Sequence, residues 1–435
     1  MGGIEALIKK FIYKLGVQLR NKKIFANYKF LKESENWSID QLEDYQLRKL
    51  KEIVNYAYYN SSFYRELFDQ EGLKPNIIKK LEDLNKLPII EKHYLKLKKD
   101  LNNVKTKEKT FYSETSGSTG EPLIFYRNKT WDAWHRASIY RGYSWHGVKP
   151  YEKNGYLWGF NFNNKLKTKI LDVLQNRFRL FSYNEKDLKK FIKKLNKAVY
   201  LKGYSSMIYY ISKYINEFEL PINNLKLVIG TSEKIYEHYN KEAKKAFGRK
   251  IISEYGAAET GLIAFECEEG NMHLNMETCI VEEINNEIII TNLFSHSFPI
   301  IRYKLGDYIE IDKNKKCECG RNHYILKEVK GRVGKNIYGK QQQYPSLTIY
   351  YIFKNLAKEL NIGIDYQVIQ REKGKIEIYL YSKKNEITIK YLCKEIYKYF
   401  SKDIDFEIYF KENIKLQRDS KFKDFISLIE EEKYE

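Results

Sequence analysis

Two groups of residues have the types and spacing to do chemistry. Between Tyr112 and Pro122 the chain reads YSETSGSTGEP, and Thr115, Ser116, Gly117, Ser118, Thr119 and Gly120 interleave hydroxyls with glycines. Glycine permits close backbone approach and positive φ, and hydroxyls with backbone N–H groups make a flexible cradle for a polyphosphate. The segment lacks the Gly-Lys-Ser/Thr ending of a Walker loop, and an ordinary Ser/Gly turn is the alternative reading. The second group is Cys267 and His273, in a C-x5-H spacing, with Cys317 and Cys319 in C-x-C-G. Three thiolates and one imidazole suit a closed, tetrahedral, structural zinc site with no hydrolytic role, and Gly320 supplies the tight turn such knuckles favour. Buried Cys267 with two free thiols is the plainer alternative. Cys279 and Cys393 stand apart from the set.

The elements around these groups alternate. Residues 1–30 place Ile4, Leu7, Ile8, Phe11 and Leu15 at helical spacing with Lys9, Lys10 and Lys14 between them. That is an amphipathic basic helix, which either docks on a membrane surface or packs on its own domain. Helical patterning covers Ser38 to Asp100, including Gln41–Tyr59 and a turn at Gly72 to Pro75, and returns at Trp131–Tyr143. Short apolar runs such as GYLWGF, KLVIG and KIISEYG alternate with lysine-rich helical segments, which predicts α/β architecture with helices covering sheets. After Gly261 the texture turns to strands, with 282–292 and 300–303 extended and IEI at 309–311 after a turn. From about Lys335, strands YQVIQ and KIEIYLY alternate with helices such as Ile387–Phe400, predicting a separate α+β domain.

A chain of 435 residues exceeds one ordinary core. Its 43% hydrophobic and 31% charged residues suit a soluble folded protein, and no run approaches the roughly 18 apolar residues of a membrane span. Lys9, Lys10 and Lys14 interrupt any signal-peptide core, and five cysteines make no disulfide framework, so a cytoplasmic protein is expected. The charge of +20 suits nucleic acid, an anionic membrane or small polyanions, or reflects compositional drift toward Lys, Asn, Ile and Tyr. No nucleic-acid reader motif accompanies it, and no nucleic-acid partner is expected.

TSGSTGEP resembles the phosphate loop of the adenylate-forming (ANL) superfamily, which includes acyl-CoA synthetases, luciferases and peptide-synthetase adenylation domains. NSSFYRELF at 60–68, GYSSMIYYISKYI at 203–215, SEYGAAETG at 253–261 and IRYKLGDY at 301–308 narrow the resemblance to its phenylacetate–CoA ligase-like, CapK-like branch. GRVGKNI at 331–337 and RDSKFKDFI at 418–426 complete an ordered series from about Ile53 to Phe425.

The resemblance implies a large N-terminal adenylate-forming domain, 1–334, with a zinc-knuckle-like insertion around 267–320, and a small mobile C-terminal domain, 335–435. It implies that Tyr255 stacks on adenine beside Gly256 and Ala257, that Glu259 holds Mg2+, and that Thr231, Ser232 and Glu233 line the nucleotide. Asp307 would take the ribose hydroxyls, Arg332 the ribose or phosphate, and Lys335 the hinge. Lys421 would neutralise the α-phosphate, although Ser420 stands where the family usually has glycine and Lys423 is a neighbouring decoy. Each has a plainer reading: Glu259 as a helix-capping carboxylate, Asp307 as a turn residue, Lys421 as a surface lysine. Arg302 reads as structural. Trp131, Trp134, His135, Tyr143, Trp158, Phe160, Tyr204 and Gly230 fall where the family gathers substrate-facing groups, and half read as ordinary core. A related C…H…C-x-C-G-R pattern in the branch supports the zinc, with Arg321 continuing it.

The activity so implied is ATP-dependent conversion of a carboxylic acid to an acyl-adenylate, with transfer to coenzyme A. An amine or hydroxyl of a sugar nucleotide in surface-polysaccharide synthesis is the alternative acceptor. A non-catalytic binding protein retaining the fold is the reading from another class, against which the presence of Glu259, Asp307 and Lys421 speaks. Peripheral contact with the inner membrane face through residues 1–30 and a homodimer stand as further expectations.

Overall fold

The computed structural model describes residues 2–115, 122–157, 166–180, 185–220, 222, 224–233, 235, 237–329, 336–345, 347–360, 362, 364, 366–411 and 425–429. It is a mixed α/β fold whose described residues divide into two compact units, one drawn from residues up to 329 and one from residue 336 onward together with Pro122.

The first unit carries strands β1 (Ile90–Glu91), β2 (Thr110–Glu114), β3 (Ile124–Asn128), β4 (Asn154–Leu157), β5 (Arg177–Arg179), β6 (Tyr200–Tyr204) and β7 (Leu227–Thr231). It continues with β8 (Ile252–Ala257), β9 (Gly261–Glu266), β10 (Met272–Leu274), β11 (Cys279–Ile284), β12 (Glu287–Asn292), β13 (Tyr303–Asp312) and β14 (Ile325–Val329). One sheet runs β11-β12-β13-β14-β10-β9-β8-β7-β6-β4-β5, with β1 beside β13, while β2 and β3 form a separate hairpin. From β8 to β5 the strands are parallel, and from β8 to β11 they are antiparallel, with β1 parallel to β13 at the side. The apolar run KLVIG explains the parallel part: all of β7 is buried, as a strand covered on both faces must be.

The Ile39–Asn60 helix starts at Ser38, whose hydroxyl accepts from Gln41 N–H while the Gln41 side chain answers to the Ser38 N–H. Its Leu50, Ile53, Val54 and Ala57 pack with Ile288, Ile290, Phe298 and Tyr303 in the largest core cluster. Two expectations change. The stretch 282–292 is a hairpin, because Asn285 and Asn286 both adopt positive φ (52° and 62°) and reverse the chain. No turn separates 303 from 311; β13 runs through, bent at Gly306 with φ 89°.

The second unit holds β15 (Asn336–Tyr338), β16 (Gln343–Pro345), β17 (Tyr366–Glu372), β18 (Lys375–Leu380), β19 (Asp405–Phe410) and β20 (Phe425–Ser427). The last four make a sheet ordered β19-β18-β17-β20. Alternating burial along β17 and β18 matches the YQVIQ and KIEIYLY pattern. The helices Leu347–Leu360 and Glu386–Phe400 pack together, the second capped by Asn385.

Candidate active site

The switch from parallel to antiparallel strands builds the centre of the site. Strand β8 ends in the turn 258–260 and β9 returns beside it, with the register slipping between Tyr255 and Gly256. A Cβ at Gly256 would lie 2.4 Å from the Gly261 carbonyl oxygen, so the chain's own backbone requires glycine there. Glu259, in the turn, is buried, and Tyr303 donates its hydroxyl to Glu259 Oε1 at 3.1 Å. Tyr255 donates to Asp307 Oδ2 at 2.8 Å. Tyr303 and Asp307 both come from β13, so Tyr255, Glu259 and Asp307 are brought together by strands β8 and β13 and the turn after β8.

The carboxyl ends of β6 and β7 carry Tyr204 and Thr231 as register partners, both buried. Ser232 follows with φ 68°, and the Glu233 carbonyl accepts from Ser205 Oγ at 3.2 Å. Gly230 faces packing: a Cβ there would sit 2.7 Å from Ser205 Oγ and 2.8 Å from Ile251 Cγ2. On the floor below, Lys202 spans β7 to pair with both oxygens of Glu254 at 2.8 Å.

The Lys129–Trp145 helix brings Trp131 and His135, one turn apart, over Gly261; an added Cβ at Gly261 would meet His135 Nδ1 at 3.3 Å and Trp131 Nε1 at 3.8 Å. Both nitrogens are buried and have no hydrogen-bond partner among the described residues, and the same holds for Thr260 Oγ1 and Arg127 Nε. Arg127 reaches the same turn, donating Nη2 to the Ala258 carbonyl at 2.8 Å. Burial holds its guanidinium down at about 10, with Asp132 and Glu259 pulling the other way. Burial, then the neighbouring Arg127, Arg136 and Lys202, holds the His135 imidazole well below its usual range, so it is neutral. Trp134 stacks on Phe294 and Tyr143 packs on Tyr200, which makes both core.

Thr115 closes the β2–β3 hairpin: its N–H donates to the Leu123 carbonyl, and its Oγ1 accepts from Leu123 N–H, both at 3.0 Å. Ser116, Gly117, Ser118, Thr119, Gly120, Trp158, Phe160, Arg332, Lys335 and Lys421 lie outside the described residues. Arg302 is a clamp, with Nε and Nη2 on the two oxygens of Glu282 at 3.0 and 2.9 Å and Nη1 on the carbonyls of Asn85 and Leu87. Sequence reading missed Tyr303 and Arg127; Tyr303 stood inside the IRYKLGDY phrase, four residues before Asp307, and Arg127 in the strand after the hydroxyl loop. A cavity of about 480 Å³ between the Ser205–Glu217 and Glu237–Phe247 helices holds none of these side chains.

Cys267, His273, Cys317 and Cys319 converge, their ligand atoms all within 4.8 Å of one another. Cys267 and Cys317 sulfurs are 3.7 Å apart, and zinc–sulfur bonds of about 2.3 Å at the tetrahedral angle require about 3.8 Å. Cys319 Sγ lies 3.2 Å from His273 Nε2. His273 Nδ1 donates to the His323 carbonyl at 3.1 Å, which leaves Nε2 to face the sulfurs. Two turns shape the knuckles, with Gly270 N–H on the Cys267 carbonyl at 2.9 Å and Gly320 N–H on that of Cys317 at 3.0 Å, both glycines at φ 79°. The donor set fits a zinc ion. Cys279 and Cys393 take no part.

No family model matches the chain. A Staphylococcus aureus protein named CapK is 26% identical over 366 residues, covering 78% of each chain. A phenylacetate–coenzyme A ligase of Thermus thermophilus is 21% identical over 377 residues, 79% of this chain and 82% of its own. An Escherichia coli phenylacetate–coenzyme A ligase is 24% identical over 302 residues, covering 63% and 68%. Among solved structures, 2-hydroxyisobutyryl-CoA ligase with 2-HIB-AMP and CoA shares the fold at TM-score 0.62 and 16% identity, over 91% of this chain and 92% of its own. These matches run along most of the chain and bear out the resemblance: the chain is similar to CapK and to phenylacetate–coenzyme A ligases, and it has the fold of an adenylate-forming acyl-CoA ligase.

Proposed function

We propose that the chain is an ATP-dependent, AMP-forming acyl ligase. A carboxylate oxygen of the acid attacks the α-phosphorus of ATP and the bond to pyrophosphate breaks; the thiol of coenzyme A then displaces AMP from the acyl carbon. The supporting observation is that tyrosine hydroxyls hold both acids, Tyr303 of β13 holding Glu259 in the β8–β9 turn and Tyr255 of β8 holding Asp307 on β13. Positioning and charge neutralisation, rather than a protein nucleophile, are what this reaction needs.

On this reading the free oxygen of Asp307 accepts from the ribose, and the Tyr255 ring flanks adenine beside Gly256 and Ala257. Thr231, Ser232 and Glu233 line the nucleotide, and Thr115 with residues 116–120 cradles its phosphates. Glu259 offers a carboxylate oxygen to Mg2+, which supplies charge neutralisation on the leaving pyrophosphate. Lys421 acts as a point charge on the α-phosphate, Arg332 faces the ribose or phosphate, and the 335–435 domain swings at Lys335. Trp131, His135 and Tyr204 face the acid. The Cys267–His273–Cys317–Cys319 set holds a structural zinc. Coenzyme A is the acceptor favoured by the two phenylacetate–coenzyme A ligase relatives.

Pyrophosphate release with a panel of acids tests the proposal. Release requires an acid, and Glu259→Gln lowers it by about a hundredfold with the melting temperature unchanged. Release independent of any acid would sink the ligase reading. Adding coenzyme A to accumulated adenylate yields a thioester; an adenylate consumed only by a sugar-nucleotide amine assigns the other acceptor.

A further inference from the structure

The Gly2–Asn21 helix packs on its domain by a face that is not its apolar stripe. Tyr13, Val17 and Asn21 turn inward: Val17 is 8% exposed, Tyr13 Oη meets Tyr140 Oη at 2.6 Å, and Asn21 Nδ2 donates to the Lys129 carbonyl at 2.7 Å. At about 100° per residue, Leu7, Ile8, Phe11, Leu15 and Leu19 fall within an arc of about 120° on another side. All five are exposed, Phe11 by 68% and Leu19 by 79%. Beside this helix lies Leu166–Leu174, which exposes Ile170, Leu171, Val173 and Leu174. Its Asp172 turns inward instead, to Arg179 at 2.8 Å.

Two neighbouring helices that bury polar groups and point large aliphatic side chains outward form a surface that something covers. Charge identifies the occupant. Lys9, Lys10 and Lys14 lie along the first helix, Lys22 follows it, and Lys169 sits on the second, against Glu5 on the first and the buried Asp172 on the second. A second copy would set one lysine-rich surface against another in a chain of charge +20. An anionic bilayer accepts both features, since aliphatic groups enter the acyl boundary while lysine stems run along it to the headgroups. No helix among the described residues is long and apolar enough to cross a membrane, so the contact is interfacial.

We propose that the protein docks on anionic lipid membranes through the outward faces of the Gly2–Asn21 and Leu166–Leu174 helices. The docking stands apart from the ligase reading and is tested without it. Flotation of the full chain with vesicles of equimolar phosphatidylglycerol and phosphatidylcholine shows binding, at least about tenfold weaker on phosphatidylcholine alone and weakened by salt. Phe11→Asp with Leu15→Asp, at two exposed positions, abolishes flotation with the melting temperature unchanged. Lys9→Glu with Lys14→Glu lowers partition by more than about tenfold. Failure to float with anionic vesicles overturns the proposal, as does flotation that the two aspartates leave intact. A dimer in sedimentation that Phe11→Asp separates, with no flotation, gives the face to a second copy and overturns it equally.

Discussion

Tyr255 and Tyr303 hold the two acids of the candidate site by hydroxyl donation, at 2.8 and 3.1 Å. A pinned carboxylate presents its remaining oxygen in one direction, and losing a hydrogen bond to a charged group costs about 1.5–3 kcal/mol where that bond orients a ligand. Tyr255→Phe is therefore expected to raise the KM for ATP about tenfold and leave that for the acid unchanged, read from initial rates at saturating co-substrate. Around Gly261, Trp131 Nε1, His135 Nδ1 and Thr260 Oγ1, which have no partner among the described residues, invite polar contact. An acid bearing a hydroxyl or oxo group near its carboxylate should exceed a purely hydrocarbon acid by about tenfold or more in kcat/KM, and His135→Phe should narrow that ratio. The phrases SEYGAAETG and IRYKLGDY were enough to pick out Glu259 and Asp307. Their tyrosine partners sit 44 and 52 residues away along the chain, and no local pattern announces a hydrogen bond across that distance.

The Lys129–Trp145 helix begins on a borrowed cap. Asn128 gives no side-chain cap, and Glu108 serves instead, its Oε2 accepting from Thr130 N–H and Asn128 Nδ2 at 2.9 Å while Lys23 reaches Oε1 at 3.0 Å. Burial pushes the Glu108 carboxyl up, but these donors outweigh it and hold it at about 2. A carboxyl depressed from its usual ~4.3 adds stability above that value and loses it as pH falls through about 2. Glu108→Gln is expected to cost about 1 kcal/mol at neutral pH, with the difference from wild type vanishing on acid titration between roughly pH 5 and 2; chemical denaturation at each pH reads it. At this scale the sequence was clear where periodicity was strong. Gln41–Tyr59 became Ile39–Asn60, and Ile387–Phe400 became Glu386–Phe400. It failed in the β region, where 282–292 was read as one extended run although Asn285 and Asn286, both at positive φ, reverse the chain between two strands.

Across the whole first unit, the cysteine–histidine knuckle leans on a buried ionic cluster. Glu277, fully buried, meets Arg141 Nη1 at 2.5 Å, His323 Nε2 at 2.9 Å and Ser34 Oγ at 2.5 Å. Burial raises its carboxyl, yet Arg141 and His323 overcome this and keep it well below the usual range. Metal analysis should find about one zinc per chain, and a strong chelator should lower the melting temperature by roughly 5 °C or more; a stable, metal-free sample would remove the zinc assignment. The four ligands were legible because each pair is local, C-x5-H and C-x-C, and the resemblance links the two pairs across the stretch from His273 to Cys317. Glu277 and Arg141 were not, since in a chain this rich in charge nothing in composition separates a buried pair from a solvated one.

His323 joins the two features: its backbone oxygen takes the proton of His273, and its ring meets Glu277. Oxidation of the thiols would therefore reach beyond the knuckle, tugging on the one residue that also steadies the ionic heart of the fold. The protein's weak point under peroxide would then be its architecture, since the groups described at the turn around Glu259 include no cysteine or methionine.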